Sequence, residues 1–195
     1  AHATGQPISR DQLKFDELDA YRDSIWTYAA AYRKAVCLAM SLSYMRIYRG
    51  DPYGDHAEVP TNHPAWRVLR DPNDWQSGFD LWEDTGLFLG LKGEAPWLLI
   101  GVKPRAMGGT EAAQPKQLMV LRPALLRHVV DRERSSFIDH WEYGQVHDPI
   151  RYEPDEVMML KLRDPQSDYR GLGHARPAAD AILSDDKAVV YNQAQ

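Results

Sequence analysis

The sequence predicts an α+β fold, because the spacing of its apolar residues changes twice along the chain. From residue 18 to about residue 40, apolar and aromatic residues recur at intervals of three and four, which is typical of one face of a helix. The middle of the chain consists of short apolar segments separated by Gly, Pro and charged turns, which indicates strands. After Pro177 the helical spacing returns. Helices first, a strand-rich middle and a helix last make an α+β domain.

The composition limits the classes of function. With 195 residues, 44% of them hydrophobic, the chain is long enough for one substantial globular domain. Its net charge of −5 argues against a protein that binds nucleic acid by neutralising many phosphates. No run of about 18 apolar residues occurs, so we expect no membrane-spanning segment. The single cysteine, Cys37, excludes an internal disulfide framework and suits a reducing compartment.

The predicted first helix carries its large residues on one face. That face consists of Tyr21, Ile25, Tyr28, Tyr32, Val36 and Ala39. We interpret it as a stripe that faces the core, with an aromatic stacking platform as the alternative. A half-buried strand is predicted next, from Tyr44 to Gly50, because apolar and polar residues alternate there.

The loop that follows, residues 50–64, contains several residues of the types that bind metals. They are Asp51, Asp55, His56, Glu58 and His63. Their spacing matches no closed ligand set, so we expect a solvated loop and no metal site.

The segment after this loop predicts two helices and then a series of strands. The first helix covers residues 64–69 and ends at a turn formed by Pro72 and Asn73. Asp74 or Ser77 caps the second helix, which the glycines at 90 and 93 terminate. Strands are predicted over residues 95–103, 117–121, 125–131 and 135–143, with one more beginning after Pro154. The first of these is largely apolar, which favours a strand covered on both faces.

A hydrolase is the first functional alternative, because Ser136, Asp139 and His140 occur within a few positions of one another. In a regular strand, neighbouring side chains point to opposite faces, so Asp139 and His140 should not share a side. The serine also lacks the context of a nucleophile elbow. No glycine loop followed by Lys and Ser or Thr is present to bind phosphates. We therefore expect no catalytic residues, cofactor or metal.

Three stretches of the sequence resemble one protein family when they are taken in order. They are residues 63–99, residues 154–173 and residues 178–192. The chain resembles the portal proteins of tailed bacteriophages, in the version found with siphophage-type capsids. It departs from the family pattern in two places: Gly171, Leu172, Gly173 and His174 stand where the family tends to have Ser-Pro, and Glu94 to Pro96 replace an Asn-Ala-Tyr triplet. Pro177 then occupies the first turn of a helix that begins late.

The resemblance implies a structural protein with no enzymatic activity. Such a protein forms a dodecameric ring at one capsid vertex, the channel through which double-stranded DNA is packaged and ejected. The implied partners are the major capsid protein, the terminase large subunit and the head–tail adaptor, with transient contact to DNA and none to a membrane. The implied location is the virion, after assembly in the host cytoplasm. Residues 1–170 would be a wing-like α+β domain and residues 171–195 the start of a stem helix, with the clip, the rest of the stem and the crown absent from this chain.

Two groups of residues are candidate functional positions. The first is the loop that leads into the stem, here called the stem-start loop. It consists of Tyr169, Arg170, Gly171, Leu172 and Gly173. The second group consists of Asp180, Asp186 and Lys187, as subunit-interface or channel residues. Asp186 falls inside an apolar stripe, where a carboxylate needs a partner, unless this part of the helix is simply exposed. An unrelated α+β adaptor or binding module is the main alternative to the portal.

Overall fold

The strand-rich middle of the chain builds two antiparallel sheets, and the helices cover one of them. The computed structural model describes residues 16–51, 53–102, 114–130, 137–182 and 184. The helices are α1 (Glu17–Asp23), α2 (Ile25–Ser41), α3 (Pro64–Arg70) and α4 (Gly78–Leu91). The strands are β1 (Tyr48–Gly50), β2 (His56–Glu58), β3 (Glu94–Ile100), β4 (Gln117–Val120), β5 (Leu126–Val130), β6 (Ile138–Gly144), β7 (Pro149–Tyr152) and β8 (Val157–Lys161). The predicted α+β class is confirmed.

Strand β3 is the central strand of its sheet, and both of its faces are covered. It pairs with β4 on one side and β8 on the other, and the other three-stranded sheet has the order β5-β6-β7. On one face of β3, Trp97 packs with Leu81 of α4. On the opposite face, Leu98 packs with Trp141 of β6. The prediction that this strand is covered on both faces is confirmed, and the core forms as a helix layer and two sheet layers.

A hydrogen bond joins α4 to β3 inside this core. The indole N–H of Trp97 donates to the Thr85 hydroxyl at 2.9 Å, and that hydroxyl donates to the Leu81 carbonyl at 2.6 Å. Both the Thr85 and the Trp97 polar atoms are thereby satisfied where water does not reach. The helix is therefore fixed along the strand as well as packed against it.

The predicted single helix over residues 18–40 is wrong, because the structure has two helices there. Ser24 lies between α1 and α2 with an extended backbone, φ −100° and ψ 118°. Its side chain accepts a hydrogen bond from the amide of Thr27, which caps the start of α2. A serine inside a helical pattern competes for backbone hydrogen bonds in this way, and here it starts a new helix.

The predicted core stripe of large residues on α2 is also wrong. The buried residues of α2 are Thr27, Ala31, Ala35 and Ala39. Tyr28 and Tyr32 remain 46% and 42% exposed, with their rings stacked at 5.6 Å. The reason is the short distance between α2 and α4: a Cβ added to Gly86 would lie 2.7 Å from the Ala35 Cα. Helices this close leave no space for aromatic rings between them.

Helix starts and ends agree better with the sequence prediction. The structure has α3 at Pro64–Arg70, with the His63 ring accepting a hydrogen bond from the amide of Ala65. Ser77, and not Asp74, caps α4 in a reciprocal pair with Asp80. Strand β7 was missing from the prediction, although β3, β4, β5, β6 and β8 occur close to their predicted positions.

The loop with metal-ligand residue types is partly a hairpin. Residues His56–Glu58 form β2, which pairs with β1 and leaves all three side chains exposed. Over the described residues, no group of three or more His, Cys, Asp or Glu side chains could hold a metal ion. Within the same residues, no helix is long and apolar enough to cross a membrane.

The close contact between α2 and α4 gives a testable prediction with an internal control. Gly86→Ala forces a methyl group against Ala35, and we expect the free energy of unfolding to fall by about 1–3 kcal/mol. Gly90→Ala places the same methyl group in the same helix with nothing within 4 Å, and should raise stability by up to about 1 kcal/mol through helix propensity. Urea denaturation of both variants measures the difference. Equal stability of the two variants would contradict the close packing.

Candidate functional site

The stem-start loop contacts the corner between α4 and β3 mainly through the backbone atoms of glycine residues. Gly93 turns this corner with a φ of +79°, and its carbonyl accepts a hydrogen bond from the Leu162 amide at 2.7 Å. A Cβ on Gly171 would overlap the Gly93 carbonyl, and one on Gly173 would overlap the Leu91 carbonyl. Only glycine allows the two backbones to lie this close, so the loop is held directly against the corner.

An ion pair between a buried carboxylate and a partly exposed guanidinium fixes the same corner. Glu94 is 1% exposed, and its Oε1 lies 2.5 Å from Nη2 of Arg170. Its other oxygen accepts a hydrogen bond from the Gly171 amide at 3.3 Å. Arg170 also donates to the carbonyls of Leu126 at 3.0 Å and Pro123 at 3.4 Å. One guanidinium therefore connects the stem-start loop to the first residue of β3 and to the segment where β5 begins.

Burial and charge act in opposite directions on Glu94. Burial raises the pKa of this carboxyl, while the Arg170 guanidinium and the Gly171 amide lower it in part. The net direction is upward. The carboxylate is therefore costly to keep charged in this position, and it depends on Arg170 for compensation.

An aromatic stack holds the beginning of the loop. The ring of Tyr169 lies 4.5 Å from the His128 ring of β5, nearly parallel to it at 9°. Phe137 covers the tyrosine as well, at 4.5 Å and 21°. Burial, followed by the charge of Arg170, lowers the pKa of His128, which favours a neutral imidazole in the stack. The loop is thus attached to both sheets, through Arg170 and through Tyr169.

After the loop the chain turns over residues 174–178 and is helical over residues 179–182. The His174 amide donates to the Gly90 carbonyl at 2.8 Å, and Ala175 packs against Ala31 and Leu91. Lys92 follows α4 and binds Glu17 of α1 at 2.7 Å. The contacts of His174 and Ala175 hold the start of the last helix against α2 and α4.

The candidate residues separate into two groups in the structure. All five residues of the stem-start loop lie at the α4–β3 corner or in the stack beside it. Asp180 is exposed on the last helix, where its carbonyl accepts a hydrogen bond from the Ser184 hydroxyl at 2.7 Å. Asp186 and Lys187 lie outside the described residues.

Sequence reasoning missed Glu94 and His128 as parts of this site. A signal for Glu94 was present, since a carboxylate at the start of a strand predicted to be buried requires a charged partner. His128 gave no signal of this kind, because its partner Tyr169 is far from it in sequence and only the fold brings the rings together.

The prediction that Asp139 and His140 cannot share a side is wrong. The His140 Nδ1 lies 2.5 Å from Oδ2 of Asp139. Val129 pairs with His140 and Val130 with Ile138, so Asp139 is the extra residue of a β-bulge, which breaks the alternation of side chains. The His140 Nε2 faces Glu142 Oε1 at 3.8 Å, whereas a catalytic triad directs this nitrogen at a hydroxyl. Ser136 lies outside the described residues.

Comparison with known proteins identifies the family. The family model for phage portal proteins matches residues 29–195. The chain belongs to the phage portal protein family. No curated protein matches it by sequence. The resemblance found in the sequence is thereby confirmed, and the family is a structural one.

Solved structures show the same fold at low sequence identity. A chain from the neck of an empty gene transfer agent particle, computed with C6 symmetry, is 20% identical with a TM-score of 0.71. A chain from the virion of the native particle is 20% identical with a TM-score of 0.67. The present chain is covered over 92% and 98% of its length in these two comparisons, but it spans only 46% and 47% of theirs. It is therefore about half the length of these neighbours.

The buried ion pair gives the second prediction. Arg170→Met leaves the buried Glu94 carboxylate without its guanidinium. Because the Arg170 side chain is itself 39% exposed, we expect the free energy of unfolding at pH 7 to fall by about 2–3 kcal/mol, less than for a fully buried pair. Arg151→Met removes an exposed ion pair, at 56% side-chain exposure, and should cost less than about 1 kcal/mol. Denaturant titration of both variants measures this contrast.

The same variant should show a stronger pH dependence than the unchanged protein, in which the pKa of Glu94 is already raised. Without Arg170, the pKa of Glu94 in the folded state lies further above the ordinary value of 4.5, so the folded state keeps a proton that the unfolded chain releases. Stability should therefore fall as pH rises from 4.5 upward. Adding Glu94→Gln should remove this slope and recover part of the loss. A slope that persists in the double variant would assign it to another group.

The stacked histidine gives the third prediction. Because the pKa of His128 is lowered below 6.5, the unfolded chain binds a proton that the folded state excludes, and stability is lost as pH falls below this value. His128→Phe keeps a ring against Tyr169 without a titrating group. We expect the variant to lose less stability than the unchanged protein between pH 7.5 and pH 5.5, measured by urea midpoints. An identical loss in both proteins would exclude His128 as its source.

Proposed function

We propose that this chain acts as a portal subunit, in a ring that forms the channel for double-stranded DNA at one vertex of a capsid. The family match over residues 29–195 is the observation that carries the proposal. The neck structures computed with C6 and with C12 symmetry support a ring, and we propose a dodecamer. The proposed partners are the major capsid protein, the terminase large subunit and a head–tail adaptor, and the proposed location is the virion after assembly in the host cytoplasm.

The α4–β3 corner supports a division of the chain into two parts with different roles. We propose that residues 1–170 form a wing and that residues 171–195 begin a stem helix along the channel. The corner contains a buried ion pair, an aromatic stack and two backbone crossings at glycine. A joint of this kind keeps the angle between the two parts constant, which a ring of identical subunits requires.

The charge of the chain suits a channel through which DNA moves in both directions. Each Lys or Arg that binds a phosphate releases counterions and strengthens binding, so a basic channel would hold the DNA. The net charge here is −5.

We propose that Asp180, Asp186 and Lys187 line the channel or the contact between subunits. A ring of the Asp186→Ala variant that packages DNA as the unchanged protein does would remove Asp186 from this proposal.

Imaging of the purified full-length protein tests the ring directly. We expect negative-stain micrographs to show rings with a central hole, and light scattering to give a mass close to twelve subunits. The reason is that a ring held together by contacts between its own subunits would need neither DNA nor capsid to form. A monomer or dimer at every concentration would overturn the portal assignment in favour of an adaptor or binding module.

A further inference from the structure

Helix α2 has a second apolar face that nothing in the described part of the chain covers. The face points away from the alanines that contact α4. It consists of Trp26, Ala30, Cys37 and Met40, continued by Tyr44 just after the helix. Trp26, Met40 and Tyr44 are 71%, 57% and 83% exposed. These positions recur every three or four residues, the spacing with which one helix packs against another surface. Large exposed side chains grouped in this way mark an interaction site.

A groove beside this face extends the surface. It has a volume of about 260 Å³ and lies between the first half of α2 and the start of the last helix. Its lining includes Trp26, Thr27, Ala30, Lys34, Ala178 and Ile182. Thr27 is only 8% exposed, and its hydroxyl has no hydrogen-bond partner among the described residues.

The charges of this surface indicate what covers it. Arg33 and Lys34 are the charged residues of α2, and both are exposed cations. The net charge of the whole chain is −5 with these two cations included, so the other residues of the chain are acidic on balance. A second copy of the same chain therefore offers the complementary charge. In a ring, moreover, each subunit uses two different surfaces, one for each neighbour.

We propose that the outer face of α2, together with the adjacent groove, binds an acidic surface on a second copy of this chain around the ring. The proposal rests on the proposed function, since it assumes that the subunits form a ring. The contact is heterologous, which means that Cys37 of one subunit faces a different surface of its neighbour and not the Cys37 of that neighbour.

Paired charge substitutions test the surface. Trp26→Glu combined with Met40→Glu places two carboxylates at exposed positions of the face, so the fold itself should be unchanged by circular dichroism and thermal melting. We expect the concentration needed for ring formation to rise by about tenfold or more, measured by light scattering. The control is Val146→Glu, an equally exposed apolar residue at 72%, which should assemble as the unchanged protein does. Normal rings from the double variant would overturn the inference and leave the proposed function intact.

Cys37 provides a second measurement on the unchanged sequence. It is exposed and is the single cysteine of the chain, so a benzophenone maleimide attached there reports on this face alone. We expect photo-cross-links between two copies, joining Cys37 to a different part of the neighbour. Rings without any cross-link from Cys37, or cross-links in assembled particles only to another protein, would overturn the inference. Disulfide-linked Cys37 pairs after oxidation would overturn the heterologous contact. Absence of rings altogether would overturn the proposed function and, with it, this inference.

Discussion

The ion pair between Glu94 and Arg170 is the constraint on which the arrangement of the structure depends. Glu94 begins the central strand at 1% exposure, and Arg170 reaches it from the loop that leads to the last helix. A buried ion pair adds little stability compared with apolar residues of the same size, but breaking it is costly. The main effect of the ion pair is therefore to fix the position of the loop. The loop has one position in which the carboxylate is neutralised, and the last helix starts from that position.

The backbone around this pair reinforces the same geometry. The loop meets the corner through Gly93, Gly171 and Gly173, where any side chain would force the two backbones apart. Contacts between backbones leave little freedom for sliding, because they lack the rotamers through which side chains adjust. Tyr169 adds a planar contact with His128 on the other sheet. Helix α4, both sheets and the start of the last helix therefore meet at one rigid joint.

Local sequence patterns predicted most of the helices and strands. The predictions that failed depend on contacts between residues that are far apart in the chain. The capped helices α3 and α4 and the buried strand β3 were predictable because proline, a capping serine and apolar runs act within a few residues. The face of α2 was not, since periodicity cannot tell which of two apolar faces has Gly86 as its neighbour. The bulge at Asp139 could not be predicted either, because the rule that side chains alternate between the two faces of a strand assumes regular pairing with the neighbouring strand. In the candidate site, the loop was found but Glu94 and His128 were missed as its partners.

The short distance between α2 and α4, which the sequence prediction missed, also explains why α2 has two apolar faces. Gly86 brings α4 so close that only alanines fit between the helices, and the large residues must occupy the remaining sides. Alanine removes little apolar area from water, so the stability of this contact comes from close packing and not from the size of its side chains. The aromatic residues that usually fill a core lie outward instead. Exposed tryptophan and methionine favour aggregation in a monomer, so they are consistent with a chain whose surface is completed by assembly.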